Sequence, residues 1–240
     1  YTYDPLYRLT QSIPVKLKDN GKEKPEKNKS ETYTYDPLGN RLTSIKDAYT
    51  YNIVNQLLST TGYACEYDKN GNLTQKTETD DDGETKIYTF TYDYENRLVN
   101  VVIPAQAGIQ SVSYTYDPFG RRISKTVQAE EIPDEDEEDG EEEDADDLKA
   151  PMTTYYVYDN EDIILEYNHK GKITARYTHG PGIDEPISIE QDNQTYYYHY
   201  DGLGSVIALT DKDQKTVQSY SYDSFGNLKR HGNKVNNPFT

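Results

Sequence analysis

The stretch Tyr33-Thr34-Tyr35-Asp36-Pro37-Leu38-Gly39-Asn40-Arg41-Leu42 leaves a chain few ways to fold. Tyr-Thr-Tyr alternates as a half-buried strand does, with successive side chains on opposite faces. Asp-Pro-Leu-Gly then fits a type I turn: Asp at the first position bonds its own backbone, Pro pre-sets φ, and Gly accepts a positive φ at the fourth. A type I turn followed by a left-handed residue closes a three-residue hairpin loop with a bulge. The unit is strand, tight turn, strand.

That unit recurs along the chain. Tyr3-Asp4, Tyr35-Asp36, Tyr51-Asn52, Tyr67-Asp68, Tyr92-Asp93, Tyr116-Asp117, Tyr158-Asp159, Tyr200-Asp201 and Tyr222-Asp223 each end a Tyr-rich strand. The fourth turn position holds Gly39, Asn55, Gly71, Asn96, Gly120, Gly204 or Gly226, residue types that tolerate the left-handed region. Asp162 is acceptable there, and Tyr7 stands out. An aliphatic follows each turn, from Leu9, Leu42 and Leu57 through to Val206 and Leu228. Turn chemistry and strand pattern agree, so the array is a true repeat.

The Tyr-Asp-Pro-x-Gly-Asn-Arg-Leu pattern resembles the YD repeat of bacterial Rhs proteins, of the C components of insecticidal toxin complexes, and of teneurins. Tyr197-Tyr198-His199-Tyr200-Asp201-Gly202-Leu203-Gly204-Ser205-Val206, followed by Tyr222-Asp223-Ser224-Phe225-Gly226, is similar to the Rhs core just before its closing segment. The resemblance runs over essentially the whole chain with two interruptions. It implies an all-β fold: tandem hairpins in one long, curling antiparallel sheet, a section of a hollow shell that encloses a toxic C-terminal polypeptide. It also implies a secreted or cell-surface protein.

The partners that follow are the remainder of the chain's own polypeptide, with its toxin cargo. A surface adhesin or glycan-binding module is the alternative, because exposed Tyr rings stack on sugars. Residues 1–240 read as a single array and as a piece of a longer polypeptide, opening inside one repeat and stopping where another strand begins at Asn237-Pro238-Phe239-Thr240. Open strand edges at the two ends predict self-association.

Composition suits a sheet wetted on one side. Apolar residues are 33% of the chain, against about 45–50% in ordinary globular domains. There are 25 Tyr and no Trp, and Tyr buries a ring while keeping a hydroxyl for water. No apolar run reaches the roughly 18 residues needed to cross a bilayer, so membrane insertion is not expected.

The net charge of −18 sits in one place. Residues 130–147 hold 14 carboxylates and no base; without them 29 acidic residues face 25 basic ones. With no basic stripe, nucleic-acid binding is not expected. The acidic segment at 130–150 reads as a disordered loop, too charged and too poor in apolar groups to offset ordering. It fails as an EF-hand, since counting from Asp134 places Gly140 at position 7 rather than 6. A Lys-rich insertion at 11–31 reads as a hairpin loop, and Pro104–Gln110 as an inserted loop without a role.

No catalytic, cofactor-binding or metal-binding residue is nominated, and the chain is read as a structural element rather than an enzyme. His169, His179, His199 and His231 lack metal-ligand spacing. Cys65 has no suggestive His nearby in sequence and cannot form an intrachain disulfide. Ser205 lacks the glycine pattern of a nucleophile elbow. Rhs proteins that cut themselves do so through an aspartate motif beyond the core; Asp36 and Asp117 match the repeat motif, not that one.

Overall fold

The computed structural model describes residues 1–17, 22–80, 82–105, 108–130, 151–182, 185–232 and 235–239. Nearly all of the acidic segment expected as a loop therefore lies outside the described residues. The chain gathers into two compact units, Tyr1–Pro104 and Ala105–Thr240. Among the described residues no helix is long and apolar enough to cross a membrane. The fold is all-β, and among the described residues the one helical element is a 3-10 turn at Lys27–Lys29.

In the first unit the strands Thr50–Tyr51, Leu57–Ser59, Tyr63–Tyr67, Leu73–Thr79, Thr85–Tyr92 and Leu98–Ala105 lie in chain order, each antiparallel to the next. Before them come three small sheets. Thr2–Tyr3 pairs with Leu9–Ser12, which also pairs with Glu31–Thr32; Val15–Leu17 pairs with Glu23–Pro25, within the Lys-rich insertion; and Thr34–Tyr35 pairs with Arg41–Thr43. In the second unit ten strands follow the same rule without a crossover, from Gly108–Tyr116 and Arg122–Glu130 through Met152–Asp159, Asp162–Asn168, Ile173–His179, Pro186–Gln191, Gln194–Tyr200, Val206–Thr210 and Thr216–Tyr222 to Leu228–His231.

One turn is used repeatedly. At Asp36 the backbone N–H donates to Asn40 O (2.9 Å), while Gly39 N–H donates to Asp36 O (3.1 Å). The same pair of bonds closes the turns that start at Asp4, Asn52, Asp68, Asp80, Asp93, Asp117, Asn168, Asp201, Asp211 and Asp223. The residue at the fourth position is left-handed throughout, with φ of +96° at Gly39, +64° at Asn55 and +63° at Gln214. Tyr7 adopts φ +60° in its turn despite its bulk. The strand register slips beside these turns, as between Thr34 and Tyr35 or Thr115 and Tyr116, so each hairpin carries the bulge that follows a type I turn.

Three sequence expectations are corrected. The left-handed residue in the turn after Asp159 is Asn160 (φ +54°), not Asp162, because Asp159 pairs directly with Asp162 across a two-residue turn. Pro104 does not sit in an inserted loop: Leu98–Ala105 and Gly108–Tyr116 are strands. The alternating, β-branched Val99, Val101 and Ile103 favour that state, and it tolerates Pro where no ladder donor is needed. The segment around Asn237 is not a strand but a strap, described below.

The second unit has a condensed apolar core. Ile189 and Leu209 are fully buried, together with Ala175, Tyr177, Tyr196, Tyr198, Val206, Tyr220 and Val235. In the first unit the buried apolar side chains among the described residues are Tyr33, Cys65 and Val101.

Candidate functional surface

The repeated tyrosine explains itself once hydroxyl partners are traced. At six of the turns the preceding Tyr reaches back and donates its O–H to a carbonyl of the preceding hairpin. Tyr35 bonds Leu9 O (2.7 Å), Tyr51 bonds Arg41 O (2.9 Å), and Tyr67 bonds Leu57 O (2.9 Å). Tyr158 bonds Arg122 O (2.8 Å), Tyr222 bonds Val206 O (2.7 Å), and Tyr200 bonds Pro186 O. In the turn cases the acceptor lies at the start of the return strand, so each hydroxyl bolts one hairpin to its predecessor. A Phe would fill the same space and leave the carbonyl unpaired. At the degenerate repeat Tyr177-Thr178-His179-Gly180-Pro181, His179 takes the bolt position and its Nε2 bonds Ile163 O (2.8 Å).

The aspartate beside each bolt serves the turn. Asp68 Oδ1 accepts from the backbone N–H of Asn70 and of Asn72 (both 2.9 Å), and its Oδ2 accepts from Asn72 Nδ2 (2.9 Å). Asp93 and Asp117 use Arg97 and Arg121 in the same position, with Nε–Oδ2 distances of 2.7 Å. The Asn72 amide, opposed by burial and helped by backbone N–H groups, holds the Asp68 carboxyl below the usual aspartate value; Asn40 does the same for Asp36. Adjacent turns are tied laterally through Asn40 Nδ2–Asn55 Oδ1 (3.0 Å) and Asn72 Nδ2–Asn96 Oδ1 (2.8 Å).

Between the bolts, cations lie on rings. The Arg41 guanidinium is 4.6 Å from the Tyr49 ring centre and 6.0 Å from that of Tyr33. Lys76 Nζ lies 4.5 Å from the Tyr63 ring and 5.5 Å from Tyr88, and pairs with Glu78 at 2.6 Å. Burial alone would lower the Lys76 ammonium; Glu78 outweighs it and holds it above its ordinary value. In the second unit Arg122 stacks over Tyr156 (4.9 Å) and Tyr114 (5.6 Å), with its Nε buried and without a hydrogen-bond partner. Burial raises the Glu166 carboxyl, partly offset by the Tyr177 hydroxyl that donates to it (2.8 Å). Burial also pushes Tyr200 up to about 12. Each unit thus carries tyrosine hydroxyls beside cations that lie over rings.

The residues weighed for chemistry are not brought together. His169 sits exposed in a turn, His231 in the exposed last strand, and His199 Nε2 contacts Thr210 Oγ1 (2.9 Å). Cys65 is buried, and that burial pushes its thiol up. Ser205 gives its backbone N–H to Asp201 Oδ1 (3.0 Å), and Asp36 and Asp117 close turns. Among the described residues no group of three or more His, Cys, Asp or Glu could hold a metal ion. The bolts were the feature that sequence reasoning missed; their signal was the choice of Tyr over Phe before almost every turn.

The family model for the teneurin YD-shell matches residues 1–132. The chain is 32% identical over 205 residues to the tRNA3(Ser)-specific nuclease WapA of Bacillus spizizenii, a match covering 81% of this chain and 7% of that protein. It is 32% identical over 127 residues to the double-stranded DNA deaminase toxin A of Burkholderia cenocepacia, covering 52% of this chain and 8% of the relative. The chain thus spans less than a tenth of the length of these relatives. Among solved structures, TcdB2-TccC3 aligns over 94% of this chain and 17% of its own at 15% identity, with a TM-score of 0.36. A porin-like protein from Bacteroides uniformis aligns with a TM-score of 0.31 at 14% identity, covering 96% of this chain and 86% of its own. The chain belongs to the teneurin YD-shell family.

Proposed function

We propose that this chain is one section of a shell that encloses the C-terminal toxin of a secreted or surface-exposed Rhs-type bacterial protein. The observation that carries the reading is that, within each unit, hairpins lie in chain order and tyrosine hydroxyls bolt several of them to the one before. A wall must hold its shape while one face stays wet. Bolts give the first property, and a lining of hydroxyls with ring-covered cations gives the second. On this reading residues 1–240 are a single array with insertions at 11–31 and 130–150, and they contribute no catalytic residue. On this reading the activities named for the relatives lie outside the segment that this chain matches.

The test is protease protection in the complete polypeptide. Under native conditions the C-terminal region should resist trypsin, and it should become cleavable once the shell is opened by mild denaturant. Equal cleavage rates before and after opening would defeat the enclosure reading. Exposed rings at turn tips, Tyr94 and Phe119, are what a sugar-binding module would use. Glycan-array binding that is lost in Tyr94→Ala would favour that alternative.

A further inference from the structure

Residues 235–239 cross the buried face of the second unit as a strap, and the contacts read its sequence. Gln218, fully buried, grips the Val235 backbone on both sides: Oε1 accepts from Val235 N–H (3.2 Å) and Nε2 donates to Val235 O (3.2 Å). Asn236 N–H donates to Gln191 Oε1 (2.9 Å). The Asn237 side chain is held by two tyrosines, accepting from Tyr198 O–H (2.7 Å) and donating to Tyr220 Oη (3.0 Å). The Phe239 ring stands edge-on to Tyr177 (5.3 Å), His179 (5.8 Å) and Tyr198 (6.5 Å). Val235 and Asn237 are buried to 1% and 4% exposure. A buried amide satisfied on both its oxygen and its nitrogen is costly to replace, so Asn is read as Asn.

The last strand leads towards the strap through Gly232, a residue whose conformation only glycine adopts freely. Gly232 has φ +87°, and an added Cβ there would meet Val217 O at 2.8 Å. Among the described residues, the contacts that hold the strap join Val235, Asn236, Asn237 and Phe239 to the groove. We propose that the groove formed by Gln191, Gln218, Tyr198, Tyr220 and Tyr177 is a sequence-reading receptor for a Val-x-Asn-Pro-Phe segment, and that the strap of a second copy can take the place of the resident one. A second copy satisfies every contact by identity, which is the condition for exchange of an element between protomers. The resident strap competes through its tether at an effective concentration of about millimolar order, so exchange is suppressed until the tether or the strap is weakened.

The experiment uses the full chain and a fluorescent peptide with the sequence of residues 232–239, which stands for the second copy's strap. Asn237→Ala weakens the resident strap and leaves the groove intact. The peptide should bind this variant about tenfold or more tighter than the wild type, by anisotropy. Adding Gln218→Ala should reverse the gain, and a peptide with Ala in place of its third Asn, the counterpart of Asn237, should bind neither chain. Gly232→Ala, which unseats the link while keeping strap and groove, should dimerise with rising concentration in sedimentation, and excess peptide should dissolve the dimer. If Asn237→Ala does not fold by circular dichroism, Phe239→Leu serves as the milder weakening. No gain in peptide affinity on a folded variant, equal binding of the Ala peptide, or a Gly232→Ala chain that stays monomeric at every concentration would each overturn the proposal.

Discussion

Removing a single hydroxyl tests whether the bolts hold the array. Tyr222→Phe keeps the ring and deletes the O–H that donates to Val206 O at 2.7 Å. Tyr222 is half-buried and Val206 is buried, so the loss is one net hydrogen bond of about 0.5–1.5 kcal/mol, rising towards about 3 where the carbonyl finds no water. Tyr158→Phe and Tyr67→Phe delete equivalent bonds of 2.8 Å and 2.9 Å and should cost about the same, by the same principle. These sites share no partner, so their effects should add to within about 0.5 kcal/mol. The control is Tyr94→Phe at a turn tip, where the ring is 90% exposed and the change should stay within about ±0.5 kcal/mol. Urea denaturation of the full chain, followed by circular dichroism, reads each midpoint. A Tyr222→Phe midpoint that coincides with that of Tyr94→Phe would show that the hydroxyls decorate the sheet rather than hold it.

Two further perturbations probe the turns. Gly39→Val places a β-branched residue at φ +96°, which should cost about 1–3 kcal/mol by backbone strain alone, since no heavy atom lies within 4 Å of the added Cβ; Gly39→Asn should recover much of the loss, and equal midpoints for all three chains would refute the turn assignment. Asp36 and Asp68 have carboxyls held below their ordinary value in the folded state, so the stability they give is present above the usual aspartate range and lost as pH falls through the folded value. Stability should therefore decline below about pH 4, and Asp36→Asn should flatten that decline, because Asn52 and Asn168 already close the same turn without a charge.

How far the sequence reached follows from the range of each interaction. Turns are local, and Asp-Pro-x-Gly names its own dihedrals, so the hairpins and their order were legible residue by residue. Further turns at Asp80 and Asp211 close by the same two backbone bonds with Thr79 and Thr210, not Tyr, before them. The bolts were not legible, because Tyr158 and Arg122 are 36 residues apart in sequence and nothing local connects a hydroxyl to that carbonyl. The strap was misread for a related reason. Val235-Asn236-Asn237-Pro238-Phe239 carries strand-like apolar spacing, and what turns it into a strap is the buried amide of Gln218, polar in a strand otherwise read as repeat. Asn160 displaced Asp162 because a two-residue turn pairs Asp159 with Asp162 and leaves no room for the longer loop.

The two units are built to different strengths, and that difference predicts an order of opening. In the first unit, stability rests on ladder bonds, bolts and cation–ring pairs such as Lys76 over Tyr63, each worth about 1 kcal/mol or less at a half-exposed site. The second unit adds Ile189 and Leu209 at 0% exposure, and burying each such side chain contributes about 1.5–3 kcal/mol. The strap then covers this core with Val235 and Phe239. Regions with few buried apolar contacts exchange their amides through smaller openings. In native-state hydrogen exchange at rising urea, amides of Tyr63–Tyr67 and Leu73–Thr79 should therefore merge into a low-energy opening, while those of Gln194–Tyr200 and Val206–Thr210 persist to the global transition. Leu209→Ala, with a cost of about 2–5 kcal/mol, should bring the second set down towards the first without moving the first. A single isotherm for both sets, shifted as one by Leu209→Ala, would mean that the hairpins transmit stability along the whole array and that the bolts couple them more strongly than their individual energies imply.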